Sequence, residues 1–271
     1  MDINEFYKQI TDEANQINIT INDEKVEQFY KYMQILLEWN EKINLTAIKE
    51  EKEIITKHFI DSITISKYIK DNSYIADIGT GAGFPGIPLK IINDSYNITL
   101  VDSLNKRIKF LEEIITKLQL NKTKAIHARA EEIGKNKEYR EKYDVVTSRA
   151  VADLSVLVEY MLPLVKVGGY CICMKGPDCE EEINKSKKAI KILGGKIEKQ
   201  EQFELPKTNI KRTIVLIKKL ILHQVNIQEK QERQLKALLH KTKLKEKMYK
   251  TKQKINKFCI NYWHIFNIFI L

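Results

Sequence analysis

The run Asp77-Ile78-Gly79-Thr80-Gly81-Ala82-Gly83-Phe84-Pro85-Gly86 constrains this chain more than any other part of it. It follows the short β-prone stretch Tyr74-Ile75-Ala76 and leads into Ile87-Pro88-Leu89-Lys90-Ile91-Ile92, which reads as a helix. Gly79, Gly81 and Gly83 let the backbone turn where a side chain would obstruct a ligand or the following helix. Strand, glycine loop and helix in that order start a parallel α/β sheet, and such sheets bind ligands at the carboxyl ends of their strands. A dinucleotide would set its pyrophosphate on the helix N-terminus, and three glycines alone leave that reading open. Asp77, immediately before the loop, would repel a diphosphate. It suits the cationic amino-acid end of S-adenosylmethionine.

The next strands carry polar residues at the matching positions. Asn97-Ile98-Thr99-Leu100-Val101 ends at Asp102, about twenty residues past the loop, where a carboxylate can accept hydrogen bonds from both ribose hydroxyls of either ligand. Lys124-Ala125-Ile126-His127 runs into Ala130-Glu131, a small residue and a carboxylate suited to flank an adenine and bind its exocyclic amine. A fourth strand, Tyr143 to Ser148, ends in Arg149-Ala150-Val151-Ala152, and a fifth, Gly169 to Met174, ends in Lys175-Gly176-Pro177. Helices are expected between them. One runs from Leu104 to Leu118, one from Leu154 to Val165 capped by Asp153, and one from Glu180 to Leu193 closed by Gly194-Gly195. Gly168-Gly169 is read as the turn into strand five. His127 is read as structural.

Alternating strands and helices over residues 71–220 indicate a parallel sheet with crossover helices. Lys196 to Leu205 and Arg212 to Lys219 are β-prone neighbours joined by Pro206-Lys207-Thr208-Asn209. They look like the closing hairpin of a seven-stranded methyltransferase sheet, a feature that dehydrogenase sheets usually lack. Residues 1–70 read as helical. From Asn22, an N-cap followed by Asp23 and Glu24, apolar residues recur at Val26, Phe29, Tyr30, Met33, Leu36 and Leu37. One apolar stripe needs a surface, so this segment is expected to cap the sheet and wall one side of the crevice.

Composition excludes more than it selects. No run approaches the ~20 apolar residues of a membrane span, and Met1 to Glu5 lacks the basic start and apolar core of a signal peptide. The expectation is a cytoplasmic monomer with no membrane partner. Cys171, Cys173, Cys179 and Cys259 show no paired metal spacing, so no metal site is expected. Cys171 and Cys173 are read as buried thiols of a reduced compartment, on opposite faces of their strand. The net charge of +10 suggests RNA until it is divided along the chain. Eleven Lys or Arg against three Glu lie from Ile221 onward, which leaves only a small excess for the first 220 residues. The clusters Lys106, Arg107, Lys109, Lys117 and Lys185, Lys187, Lys188, Lys191 are read as solvated helix faces.

Taken together, Trp39-Asn40, Ile43-Asn44-Leu45-Thr46, His58, Asp61-Ser62, Gly79 through Pro88, Ala130-Glu131, Ser148 through Ala152 and Lys175-Gly176 resemble one family. It comprises the bacterial 16S rRNA (guanine-N7)-methyltransferases of the RsmG (GidB) type. The order and spacing agree over roughly the first 220 residues, and the extension Phe-Pro-Gly-Ile-Pro is far more specific than three glycines. The resemblance implies a Rossmann-like, seven-stranded S-adenosylmethionine-dependent methyltransferase sheet with an N-terminal helical cap. It implies a substrate in 16S ribosomal RNA or the small subunit, and cofactor contacts at Gly79, Phe84, Ala130, Glu131 and Arg149. The residues themselves add Gly81 and Asp102 to that set. Guanine N7 has a lone pair and no proton to remove, so catalysis should rest on alignment rather than on a general base. Arg149 is placed to clamp the cofactor carboxylate or a substrate phosphate. Asn44 and His58 are candidates to reach the rim from the cap, with a structural hydrogen-bonding role for His58 equally open. Phe84 is read as cofactor wall. Two other readings stand beside this one: a methyltransferase acting on a small molecule or protein, and a non-catalytic protein that binds RNA through its basic tail.

The tail, residues 221–271, departs from the family, whose last strand is followed by a basic segment of the type Tyr-Pro-Arg-Lys-Ala-Gly. One set of codons for His223 to Gln234, regrouped with the final base of the preceding codon, spells Thr-Pro-Ser-Lys-Tyr-Pro-Arg-Lys-Ala-Gly-Thr-Pro. The hypothesis is a frameshift near Leu220. The Lys-, Ile-, Asn- and Phe-rich remainder has the composition of AT-rich DNA read out of frame. Resequencing across that codon tests it, and codons that cannot regroup in this way end the idea. A basic amphipathic anchor is the other reading of this segment.

Overall fold

The computed structural model describes residues 1–149 and 152–221. The tail reading, apart from Ile221, and the pair Ala150-Val151 lie outside the described residues. Helices come first: α1 (Ile3–Gln16), α2 (Asp23–Ile43), α3 (Glu51–Ile54), a π-helical turn (Ile55–Ile60), α4 (Asp61–Ile63) and a 3-10 turn (Ser66–Tyr68). Asn22 caps α2 as expected, its side-chain oxygen accepting from Lys25 N at 3.1 Å. Asn44 ends α2 in the left-handed region, at φ 48°. The buried face of α2 differs from the stripe read in sequence. Tyr32 and Ile35 are buried, whereas Tyr30 and Leu37 are only partly covered.

The sheet and its helices follow as β1 (Tyr74–Ile78), α5 (Gly86–Ile92), β2 (Asn97–Asp102), α6 (Asn105–Lys117), β3 (Thr123–His127), α7 (Ala130–Ile133), β4 (Tyr143–Arg149) and α8 (Leu154–Met161). The chain then runs through a 3-10 turn (Leu162–Leu164), β5 (Val165–Lys175), α9 (Glu180–Ile192), β6 (Gly195–Glu204) and β7 (Lys211–Lys219). Strand order is β3-β2-β1-β4-β5-β7-β6. The pairs among β1 to β5 are parallel, and β7 runs antiparallel to both β5 and β6. The expected closing hairpin is present.

Two-residue periodicity sorts the strands into two buried layers. Ile75, Ile98, Leu100, Val145, Ile172, Met174, Ile214 and Leu216 join the layer that also holds Phe6, Phe29 and Phe59 from the helical segment. Ala76, Ile78, Val101, Val146, Cys171, Cys173, Val215 and Ile217 join the layer under α8 and α9. Cys171 and Cys173 therefore share a face, because residues two apart on a strand point the same way. The expectation of opposite faces is corrected.

Two boundaries also move. The helix after Asp153 stops at Met161, and β5 begins at Val165, so Gly168-Gly169 lies inside a strand. The β4–β5 register shifts between Tyr143 and Val145. Gly168, at φ 86°, supplies the irregular step there. Among the described residues no helix is long and apolar enough to cross a membrane.

Candidate functional site

The parallel register lines up the carboxyl ends of β1, β2 and β4, and the glycine loop folds over them. Gly79 N and Thr80 N both donate to Val101 O, at 2.9 and 3.1 Å, which ties the start of the loop to β2. Gly79, Gly81 and Gly83 have φ of 68°, 61° and 94°, so this turn is one that L side chains resist. Two carboxylates then hold it. Asp77 is fully buried, and its Oδ2 accepts from Thr80 Oγ1 at 2.6 Å and from Gly86 N at 2.8 Å. Asp102 Oδ2 accepts from Gly81 N at 3.0 Å and from Arg107 Nη1 at 3.2 Å, while its Oδ1 accepts from Leu104 N at 2.9 Å. From the opposite side Tyr32 donates its hydroxyl to Ala82 O. Bonds within the chain hold the loop in this shape.

Asp77 thus works beneath the loop rather than as an exposed charge at its mouth. Burial pushes its carboxyl up to about 6, against the opposing hydrogen bonds from Thr80 and Gly86. Its Oδ1 has no hydrogen-bond partner among the described residues.

In front of the strand ends lies a cavity of about 560 Å³ whose walls include Gly79, Asp102, Arg107, Ala130, Glu131 and Tyr160. That size is ordinary for a small-molecule site. Gly79, Asp102, Ala130 and Glu131, singled out from sequence, meet there. Gly81 joins them through Asp102. An ionised carboxylate offers about four acceptor positions, and the loop, Leu104 and Arg107 occupy three of those on Asp102. A ribose would share Asp102 with the loop or displace Arg107. His127 bonds Ser103 O at 2.9 Å, in line with its structural reading.

Phe84 and Arg149 are not among the cavity walls. They belong to a second cluster, nearer the helical segment. The Phe84 ring is 6 % exposed and stacks on His58 at 4.5 Å between centroids. The Arg149 guanidinium lies over the same ring at 4.8 Å. Arg149 Nη1 donates to Lys57 O and to Asp61 Oδ2, both at 3.1 Å, and its Nη2 lies 3.0 Å from His58 Nδ1. A guanidinium can only donate, so Nδ1 must accept and the ring proton sits on Nε2. That proton donates to Thr46 Oγ1 at 2.7 Å. Burial first, and the Arg149 charge second, hold His58 down to about 3, and the imidazole is neutral. Asn44 is exposed and ends α2.

The sign of the His58 effect on stability follows from that shift. Between its ordinary 6.5 and about 3 the unfolded chain binds a proton that the folded chain refuses. Stability is therefore lost as pH falls through that window, at about 1.4 kcal/mol per pH unit. His58→Gln should flatten the acid limb of the urea-unfolding profile by about that slope. An unchanged limb would show that His58 is charged in the fold.

Tyr32, Arg107, Tyr160, Thr46 and Arg212 were not singled out as site residues from sequence. Tyr32 lies outside the apolar stripe read from sequence, although α2 buries it. Arg212 carried no local signal, since it reaches Asp61 across 151 residues, at 3.2 Å. Asp61, one turn after His58, could have been found as a same-face neighbour. Among the described residues no group of His, Cys, Asp and Glu could hold a metal ion.

Comparison with known proteins agrees with this geometry. The family model described as rRNA small subunit methyltransferase G (GidB) matches residues 25–215. The ribosomal RNA small subunit methyltransferase G of Alkaliphilus oremlandii (strain OhILAs) is 54% identical over 209 residues, covering 76% of this chain and 87% of that relative. The protein of the same description from Acetivibrio thermocellus is 53% identical over 213 residues, covering 78% and 88%. Among solved structures, Trm5b of Pyrococcus abyssi matches with a TM-score of 0.50 at 13% identity, over 66% of this chain and 52% of that one, a likeness of fold alone. With the family match spanning residues 25–215 and relatives above half identity, the chain belongs to the rRNA small subunit methyltransferase G family.

Proposed function

We infer that this chain transfers a methyl group from S-adenosylmethionine to N7 of a guanine in 16S ribosomal RNA. The observation that carries the reading is the glycine loop opening on the 560 Å³ cavity, with Asp102 and Glu131 in its walls, in a member of this family. The bound donor supplies an electrophilic methyl group; the residues have to hold and aim it. Gly79, Gly81, Asp102, Ala130 and Glu131 take the nucleoside part in this reading, with Phe84 as wall toward the other end of the crevice and Arg149 where donor and substrate meet. Helical residues 1–70 act as the cap, and residues 71–220 as the transferase unit. A ribosomal substrate sets this work in the cytoplasm.

The second cluster fits the chemistry of N7. The attacking nitrogen has no proton to give up, so a neutral, already bonded His58 is no handicap. A third positive charge beside Arg149 and Arg212 would oppose a base that becomes cationic on methylation. Alignment of two bound partners accounts for the rate.

The test is twofold. Calorimetry should show binding of S-adenosylmethionine, and small subunits lacking the modification should gain a methyl group at one guanine N7. Tight binding of a nicotinamide dinucleotide without binding of the sulfonium would overturn the assignment of the cavity. Methylation of another atom or another molecule would overturn the substrate.

A further inference from the structure

We propose that Arg149 and Arg212, held together by the buried carboxylate of Asp61, form a subsite that receives a phosphate of the RNA chain beside the target base. The inference rests on the function proposed above and adds a residue pair that neither the loop nor the cavity contains.

Topology brings the pair together. Arg149 ends β4, whereas Arg212 stands near the start of β7. Because β7 runs antiparallel to β5, its beginning lies at the edge where β4 and β5 end. Arg149 is in register with Met174, and Met174 with Ile214. The final antiparallel strand thus delivers a cation to the mouth of a sheet that is otherwise parallel.

Asp61 holds both. Its Oδ2 accepts from Arg149 Nη1 at 3.1 Å and from Arg212 Nε at 3.2 Å, with the residue 1% exposed. Its Oδ1 is buried without a hydrogen-bond partner among the described residues. Among the described residues the two guanidiniums share the one carboxylate of Asp61; Asp77 acts on Arg149 through space but bonds only Thr80 and Gly86, and neutral His58 adds no charge. A guanidinium that shares its carboxylate with another has N–H groups left for a further anion.

The donors point to what that anion is. Of the five N–H groups on each guanidinium, Arg149 commits three, to Lys57 O, Asp61 and His58. Arg212 commits two, to Asp61 and Lys211 O. The rest are free among the described residues. Phe84 under Arg149 fixes the plane of one fork. Arg212 is the more exposed of the two, with its side chain at 26% against 14% for Arg149, so an anion from solvent meets the pair at Arg212 first. A tetrahedral oxyanion reached from solvent, able to accept from two forks at once, is the matching chemistry. An RNA phosphate meets that description.

The test compares the full-length protein with its Arg212→Gln and Asp61→Asn variants. S-adenosylmethionine affinity is read by calorimetry and small-subunit affinity by cosedimentation across a salt series. For Arg212→Gln, subunit affinity should fall about tenfold and the slope of log affinity against log salt should shrink by about one. Donor affinity should stay within about twofold. Asp61→Asn, which loosens both arginines, should weaken subunit binding further. If it fails to fold, Arg212→Gln alone decides. An unchanged salt slope for Arg212→Gln overturns the proposal, even with a lowered melting temperature. So does a loss confined to S-adenosylmethionine affinity, which would assign the pair to the donor. Binding needs no turnover, so a wild-type protein that binds subunits but leaves N7 unmodified would sink the proposed function and not this inference.

Discussion

Gly86→Ala is expected to destabilise the protein by about 2–3 kcal/mol and to weaken S-adenosylmethionine binding at least tenfold. A Cβ at Gly86 would meet Leu100 Cδ2 at 2.4 Å and Asp77 Oδ2 at 2.9 Å. Neither neighbour can step aside. Leu100 is fully buried at the centre of β2, and Asp77 is fully buried while bonding Thr80 and Gly86 itself. The methyl group must push α5 off the sheet or push Asp77 out from under the loop. In both cases the loop loses its shape. Gly81→Ala is the contrasting case. Its φ of 61° strains any L residue, by about 1–2 kcal/mol, but a Cβ there meets nothing within 4 Å. Urea unfolding and calorimetry on the two variants separate overpacking from backbone strain. Donor affinity left intact in Gly86→Ala would show that the loop does not depend on its seat against Asp77.

Asp102→Ala should have the largest effect on donor affinity, a loss of about a hundredfold or more. The side chain accepts from two backbone N–H groups and from Arg107, and hydrogen bonds to a charged group contribute about 1.5–3 kcal/mol each. Its removal leaves Gly81 N without its acceptor and Arg107 without its counter-ion at the wall of the cavity. Asp102→Asn keeps the shape but must turn an NH₂ toward one of these donors, so an intermediate loss is expected. Calorimetric titration of both variants, with melting temperatures as the control for folding, is the measurement. Equal affinity in wild type and Asp102→Ala would remove Asp102 from the site.

The parts of the site that could be read along the chain are those built by neighbours in sequence. The turn from β1 into α5 needs glycine at positive φ, and that requirement is local, so Gly79, Gly81 and Gly83 announced it. Asp102 and Ala130-Glu131 were legible for a related reason. A parallel sheet places its ligand at strand ends, and strand ends can be located from two-residue alternation and turn residues. The same periodicity, misapplied to Cys171 and Cys173, put two side chains on opposite faces when they share one.

Phe84 and Arg149 show where local reading stops. The family resemblance implies cofactor contacts for both, Phe84 as wall and Arg149 as a clamp on the cofactor carboxylate or a substrate phosphate, but it says nothing of what packs around them. In the fold Phe84 has already turned under the helical segment, to lie between His58 and Tyr32. Arg149 lies over the same ring, where the aromatic face and the Asp61 carboxylate offset the cost of its burial. Asn44 shows a role that the motif did not announce, since its left-handed backbone ends α2.

Local backbone chemistry was enough to determine the strand–loop–helix units, the parallel class of the sheet with its antiparallel close, and a crevice at the strand ends. Only the tertiary structure decided which buried carboxylate meets which loop amide, and that Asp61 from the first helices would hold arginines from β4 and β7. Glycine conformation and strand periodicity act over a few residues and leave a pattern in any sequence that obeys them. Ion pairs between segments 88 and 151 residues apart leave none, because they form only after packing has set the distances.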